Sequence, residues 1–209
     1  LGMTIEKIAY RPLRNAGSPL AVLITAIGVS YLLQNLGLLI FGADTKAFKS
    51  IVNMEALQFA EGQLAVSGEA IVTIITSIVI MLALTSFVKY TKAGRAMVAV
   101  SEDRGAAQLM GINVNGTIAL TFAIGSALAA IAGALLCSSY PSLSPYVGSM
   151  PGIKAFVAAV FGGIGSIPGA MIGGILLGVI ENLSKAYISS QLSDAIVFGV
   201  LIVVLLVKP

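Results

Sequence analysis

The 209-residue chain contains no histidine and a single cysteine, Cys137. Without histidine it lacks the commonest general base and the commonest metal ligand at neutral pH. One cysteine excludes a disulfide framework and a cysteine-rich metal site. Charge is also scarce: 10% of residues are charged, against about 25% in soluble domains. Hydrophobic residues make up 57%, and the mean hydropathy is +1.00. So few charges cannot coat a soluble surface, and so apolar a chain is not disordered. The net charge of +3 is too small and too scattered to bind nucleic acid. An integral membrane protein is what remains.

A helix needs about 20 mostly apolar residues to cross a hydrocarbon core about 30 Å thick. Pro19 to Phe41 is the first such run, with Gln34 and Asn35 near its far end. Ala70 to Val88 is the second, and Thr117 to Ser138, rich in Ala, Gly and Ser, is the third. The last runs from Leu192 to Val207, with Asp194 at one end and Lys208 at the other. The chain opens Leu1-Gly2-Met3 with no charged-then-apolar leader, and leucine is not a usual initiator, so a fragment is expected.

Between Gly148 and Gly178 the pattern changes, because 9 of the 23 glycines fall there. Two apolar pieces, Ile153 to Phe161 and Ile167 to Ile180, flank Gly162-Gly163-Ile164-Gly165-Ser166-Ile167-Pro168-Gly169. Glycine entropy and proline sterics both break helix in that linker. Non-helical backbone at membrane depth persists only when buried in protein or lining a cavity. The expectation is a re-entrant half-helix, a turn and a longer returning helix. The fold class is therefore all-α: a polytopic transmembrane helix bundle with a re-entrant glycine-rich half-helix region, forming one transmembrane domain over 1–209.

Lys and Arg in short loops set orientation. Residues 1–15 carry Lys7, Arg11 and Arg14. Residues 42–69 carry only Lys46 and Lys49, with Asp44, Glu55, Glu61 and Glu69, whereas 89–116 carry Lys89, Lys92, Arg95 and Arg104. The first and third segments are expected inside. Tyr140 to Pro151 then lies outside, and 91–116 is a cytoplasmic loop.

Three features of the chain are candidates for function. Within the inside loop, Ala106, Leu109 and Met110 recur at helical spacing. Ser101, followed by Glu102, Asp103 and Arg104, reads as a helix start with acids at the positive dipole end. Gly111 reads as its stop. A short helix with an apolar stripe fits either a docking face for a partner protein or an interfacial helix packed on lipid head groups. The second feature is the glycine ladder of Gly162, Gly163, Gly165, Gly169 and Gly173. The last three are four apart and would line one helical face if the helix runs through them, letting helix backbones approach closely. Tight packing explains most of these glycines better than direct substrate contact, and no Gly-Lys-Ser/Thr ending suggests a phosphate loop. The third is Lys154 at the start of the half-helix, where a charge is either paired and functional or snorkels to the interface. Glu181, Asn182 and Asp194 read as anchors near span ends. No chain of acids suggests a proton relay and no inverted repeat is visible, which counts against an ion-coupled carrier. No nucleophile, base or metal set suggests an enzyme. No cofactor is expected.

The run Gly148-Ser-Met-Pro-Gly-Ile-Lys-Ala-Phe-Val-Ala-Ala-Val-Phe-Gly-Gly-Ile-Gly-Ser-Ile-Pro-Gly-Ala-Met-Ile-Gly-Gly174 resembles the signature of branched-chain amino acid ABC transporter permeases of the LivH type. Tyr10-Arg11-Pro12-Leu13-Arg14 and the stretch from Gly94-Arg95-Ala96 to Gly111-Ile112-Asn113 are similar to the same family. The resemblance covers nearly the whole chain. It implies a multi-pass permease subunit of the cell inner membrane, without catalytic residues of its own. The implied partners are a second permease subunit, two cytoplasmic ATPases and an extracytoplasmic binding protein that delivers Leu, Ile or Val. The lipid bilayer is the solvent. The resemblance also assigns the inside loop to ATPase coupling, through Ser101, Glu102, Ala106, Ala107, Leu109, Met110 and Gly111. The family pattern there is Glu-Ala-Ala, three residues, Gly; this chain reads Gly105-Ala106-Ala107-Gln108-Leu109-Met110-Gly111, with glycine in place of the glutamate. Family members carry spans before the Tyr10-Arg11-Pro12 segment, so the chain is expected to be about the C-terminal two-thirds of a permease. Urea and short-chain amide permeases are similar, so they stand as the alternative substrate class. A carrier driven by an ion gradient and a membrane protein without a pathway are the rival classes.

Overall fold

The computed structural model describes residues 1–15, 19–49, 57–59 and 64–207. Glu55, Glu61 and Lys208, which enter the charge count and flank the last span, lie outside them. Among the described residues four helices are long and apolar enough to cross a bilayer. They are α2 (Pro19–Phe41), α3 (Gly68–Tyr90), α6 (Val114–Ser139) and α8 (Ile167–Tyr187). The all-α membrane fold expected from composition is what the chain adopts. Two shorter apolar helices, α7 (Ser149–Gly162) and α9 (Ser193–Val207), accompany them. The 15 residues of α9 reach about 22 Å.

The chain divides into two compact units, 1–79 with 86–146, and 80–85 with 147–209. In the first, α1 (Gly2–Ile5) continues into a π-helical turn over Glu6–Tyr10, closed by Arg11 N–H donating to Glu6 O, and then a 3₁₀ turn over Pro12–Asn15. These residues were read only as an inside segment. Instead, α1 lies beside the middle of α6: a Cβ on Gly2 would fall 2.6 Å from Phe122 O. The Tyr10 and Phe122 rings meet at 5.1 Å, so the segment descends along α6 toward its start.

Short strands, which the sequence reading did not anticipate, fix sidedness. β1 (Lys46–Ala47), just after α2, pairs antiparallel with β4 (Ser142–Leu143), just after α6. The ends of α2 and α6 therefore lie on one side of the bilayer, as the loop charges require. β2 (Leu57–Phe59) pairs with β3 (Leu64–Val66) in the same α2–α3 connection.

In the second unit α7 and α8 form an antiparallel hairpin, and α9 packs on both. Val157, Leu177 and Val197, one from each helix, form its buried core, backed by Ala158, Phe161, Phe198 and Leu201. The half-helix is longer than Ile153 to Phe161 because Pro151 sits in its first turn, where a missing N–H costs no hydrogen bond. Pro168 likewise starts α8 rather than breaking it, and the polar run after Ile180 continues the helix to Tyr187.

Candidate functional site

The inside loop folds as two helices joined by a cap. α4 (Lys92–Glu102) leaves α3 through Thr91, whose hydroxyl donates to Phe87 O at 2.7 Å and accepts from Gly94 N at 2.9 Å. A side chain at position 94 would meet backbone: its Cβ would lie 2.4 Å from Phe87 O and from Val88 Cα. Glycine is what lets the chain turn that corner. α4 then packs along α6, with Val100 buried.

The helix start expected at Ser101 is corrected. Ser101 and Glu102 form the last residues of α4, and the Ser101 hydroxyl donates back to Val98 O. Asp103 is the cap instead: its carboxylate accepts from Gly105 N at 2.7 Å and Ala106 N at 3.1 Å, starting α5 (Arg104–Leu109). The acid one residue before the first helical residue satisfies orphan N–H groups that a serine two residues further back cannot reach. At position 105, where the family pattern has glutamate, a Cβ would lie 3.3 Å from Asp103 Oδ1, so glycine leaves the capping carboxylate room. Gly111 does end the turn, with φ +80. Its N–H donates to Gln108 O and that of Ile112 to Ala107 O, which satisfies those two carbonyls of the last turn of α5. Asn113 then caps α6 by accepting from Gly116 N at 3.0 Å.

Every end of this segment is thus fixed, and α5 is set with Ala107 buried. Ala106, Leu109 and Met110 lie on the opposite, exposed face, Leu109 at 90% and Met110 at 82%. Each such side chain gains about 1.5–3 kcal/mol when it is buried. Leu109 and Met110 are thus two apolar side chains held out from a capped corner of the chain.

The glycine ladder lies in the second unit and resolves into two kinds of glycine. Gly162, Gly169 and Gly173 are packing glycines. A Cβ on Gly162 would sit 2.1 Å from Gly169 O, one on Gly169 equally close to Gly162 O, and one on Gly173 2.5 Å from Ala158 O. Gly163 and Gly165 are turn glycines, with φ +93 and +98 and open space around them. The condition for Gly165 to share a helical face with Gly169 and Gly173, a helix running through all three, is therefore not met. The helix starts at Ile167, capped by Ser166 Oγ accepting from Gly169 N, and Gly165 is needed for its backbone angle.

Lys154 is paired. Its Nζ lies 2.9 Å from Glu181 Oε1 on α8 and 2.7 Å from Asp194 Oδ1 on α9. Lys185, one turn beyond Glu181, also reaches that carboxylate. Glu181 and Asp194 were read as independent anchors; the structure makes them partners of one lysine. Asn182 stays local, donating to Gly178 O.

Residues 7–205 match the family described as branched-chain amino acid transport system / permease component. The chain belongs to that family. It is 49% identical over 211 residues to the high-affinity branched-chain amino acid transport system permease protein LivH of Salmonella typhimurium, an alignment covering all of this chain and 68% of the relative. To the corresponding permease protein BraD of Pseudomonas aeruginosa it is 44% identical over 210 residues, with the same coverage. A xylose transport system permease protein, XylH of Escherichia coli, is 36% identical over 98 residues, 44% of this chain and 25% of the relative. No solved structure matches the chain significantly. Family membership and four spanning helices make this a multi-pass membrane protein.

Proposed function

We propose that the chain is the permease subunit of an ABC importer carrying leucine, isoleucine and valine across the bacterial inner membrane. In this reading it pairs with a second permease subunit, receives substrate from an extracytoplasmic binding protein and is driven by two cytoplasmic ATPases. It has no catalytic role of its own. The supporting observation is the capped α4–α5 corner with Leu109 and Met110 exposed on the face opposite Ala107. In this reading a groove on an ATPase covers that face.

The same geometry supports a mechanism. When ATP draws the ATPases together, a groove holding Leu109 and Met110 pulls α5. The short bonds at Asp103 and Gly111 leave little slack between α5 and its neighbours. Movement passes to α6 through Asn113 and along the packed face of α4, and to the end of α3 through the Thr91 hydroxyl. The spanning helices then alternate the side from which the pathway opens.

The test is ATP-dependent uptake of labelled leucine into vesicles holding the full-length parent with its ATPases and binding protein. Flux that excess isoleucine and valine block and urea does not is the expected result. Carriage of urea or another solute with no leucine flux would keep the importer and overturn the substrate. Uptake that survives ATP depletion and collapses with the ion gradient would overturn the importer.

A further inference from the structure

We propose that α7, α8 and α9 keep one mutual arrangement throughout transport, and that Lys154 is the clamp that holds their charged end closed; the transport part rests on the function proposed above. The α7–α8 hairpin is tied at three levels. At the turn end, Gly162 and Gly169 bring backbone against backbone. Midway, Val157 and Val197 are each 1% exposed, with Leu177 against them. At the open end, about 12 Å from Gly162 along α7, the contacts are polar: Lys154 bridges Glu181 on α8 and Asp194 on α9.

The polar level is where the three helices would part first. Side chains there are 25%, 18% and 39% exposed for Lys154, Glu181 and Asp194, against 1% for Val157 and Val197 at the level below, so apolar packing does not close this end. The group is electrically balanced only as a whole: Lys154 and Lys185 offset Glu181 and Asp194. Removing Lys154 leaves Glu181 with Lys185 and leaves Asp194 without its cation, so the polar tie of α9 to α7 and α8 is lost and an uncompensated charge stands at the start of α9. Ser193, next to Asp194, is 1% exposed, and its hydroxyl donates to Ser190 O. The first turn of α9 is thus packed as well as paired, as a clamp requires and a latch that must open does not.

The experiment replaces the pair by a removable tie. In the full transporter with Cys137→Ala, Lys154→Cys and Asp194→Cys are combined and bridged by a short bifunctional thiol reagent that dithiothreitol cleaves. Glu181 and Lys185 remain a neutral pair in this variant. Before bridging, most of the uptake is lost and the melting temperature of the purified complex falls; after bridging, both return toward the Cys137→Ala level, and reduction reverses the gain. Uptake abolished by bridging would mean that the helices must part, overturning the proposal. Unchanged uptake and melting before bridging would show that no clamp exists. Lys154→Arg gives a second arm, since it keeps the cation: melting like the parent is expected, and melting as low as that of Lys154→Met overturns the clamp. If the transporter with Cys137 in place carries no amino acid, the transport reading fails while the melting arms still decide the clamp.

Discussion

Gly169→Ala adds one methyl group where two backbones meet. Its Cβ would lie 2.1 Å from Gly162 O, and real Cβ contacts essentially never fall below 3.0 Å, so the hairpin must open there by at least 0.9 Å. No flexible side chain can yield in its place, because the obstacle is a carbonyl. A gap of that size forfeits about a quarter to a half of the dispersion energy of each contact it spans. Overpacking of this kind costs about 1–3 kcal/mol. Alanine recovers at most about 1 kcal/mol of helix propensity, and less in the first turn where Gly169 sits. The net cost is about 0–3 kcal/mol, so at about 2–4 °C per kcal/mol for a chain of this size melting should fall by up to about 12 °C. Gly178→Ala is the control on the same helix. A Cβ there meets nothing within 4 Å, so melting should hold or rise. Thermal unfolding of the purified complex in detergent reads both variants. A Gly169→Ala protein that melts no lower than Gly178→Ala would refute the close-approach argument.

Leu109→Asp or Met110→Asp should leave expression and membrane insertion intact, since both side chains are exposed, while ATP hydrolysis persists and leucine uptake falls. Wild-type uptake in either variant would remove the docking face from the mechanism. Asp103→Ala removes the cap of α5 and should cost about 0.5–2 kcal/mol locally; faster hydrogen exchange over residues 104–110, with the spans unaffected, is the expected readout. Gly163→Ala places a side chain at φ +93, a strain of about 1–3 kcal/mol, and should lower melting although no neighbour is within 4 Å. In a Cys137→Ala background, cysteines at Lys46 and Ser142 should react with an impermeant thiol reagent from one face of the membrane and a cysteine at Leu109 from the other. Labelling of positions 46 and 142 from opposite faces would contradict the β1–β4 pairing.

What the sequence made legible was whatever repeats at a short period or stops abruptly. Uninterrupted apolar runs located α2, α3 and α6 to within three residues at each end. The remaining end residues belong to caps, at Ser67 and Asn113, that hydropathy does not register. Glycine density located the hairpin of α7 and α8 but could not sort its glycines, because spacing is blind to where a helix begins. Once Ser166 caps α8, Gly165 falls in the turn and Gly169 in the contact. The cap of α5 was misassigned by two residues for a related reason. Ser101 and Asp103 are both good caps, and which one wins depends on α4 continuing through Glu102, a matter of its packing along α6.

Long-range pairing was the part that stayed hidden. Lys154 meets carboxylates 27 and 40 residues further along the chain, and no local pattern links them. A lone cation beside an apolar run is equally consistent with snorkelling. What decides between these fates is the register of the hairpin. Backbone contact between Gly162 and Gly169, and between Ala158 and Gly173, sets α7 and α8 in antiparallel register, which carries Lys154 to the level of Glu181. The same register brings Val157 against Leu177, and α9 completes both contacts through Val197 and Asp194. The glycines thus do more than permit close approach. By fixing how far one helix slides along the other, they determine which charges meet. A substitution at Gly169 or Gly173 should therefore weaken the Lys154 pairing as well as the packing, and the two effects should be non-additive in a double mutant with Lys154→Met.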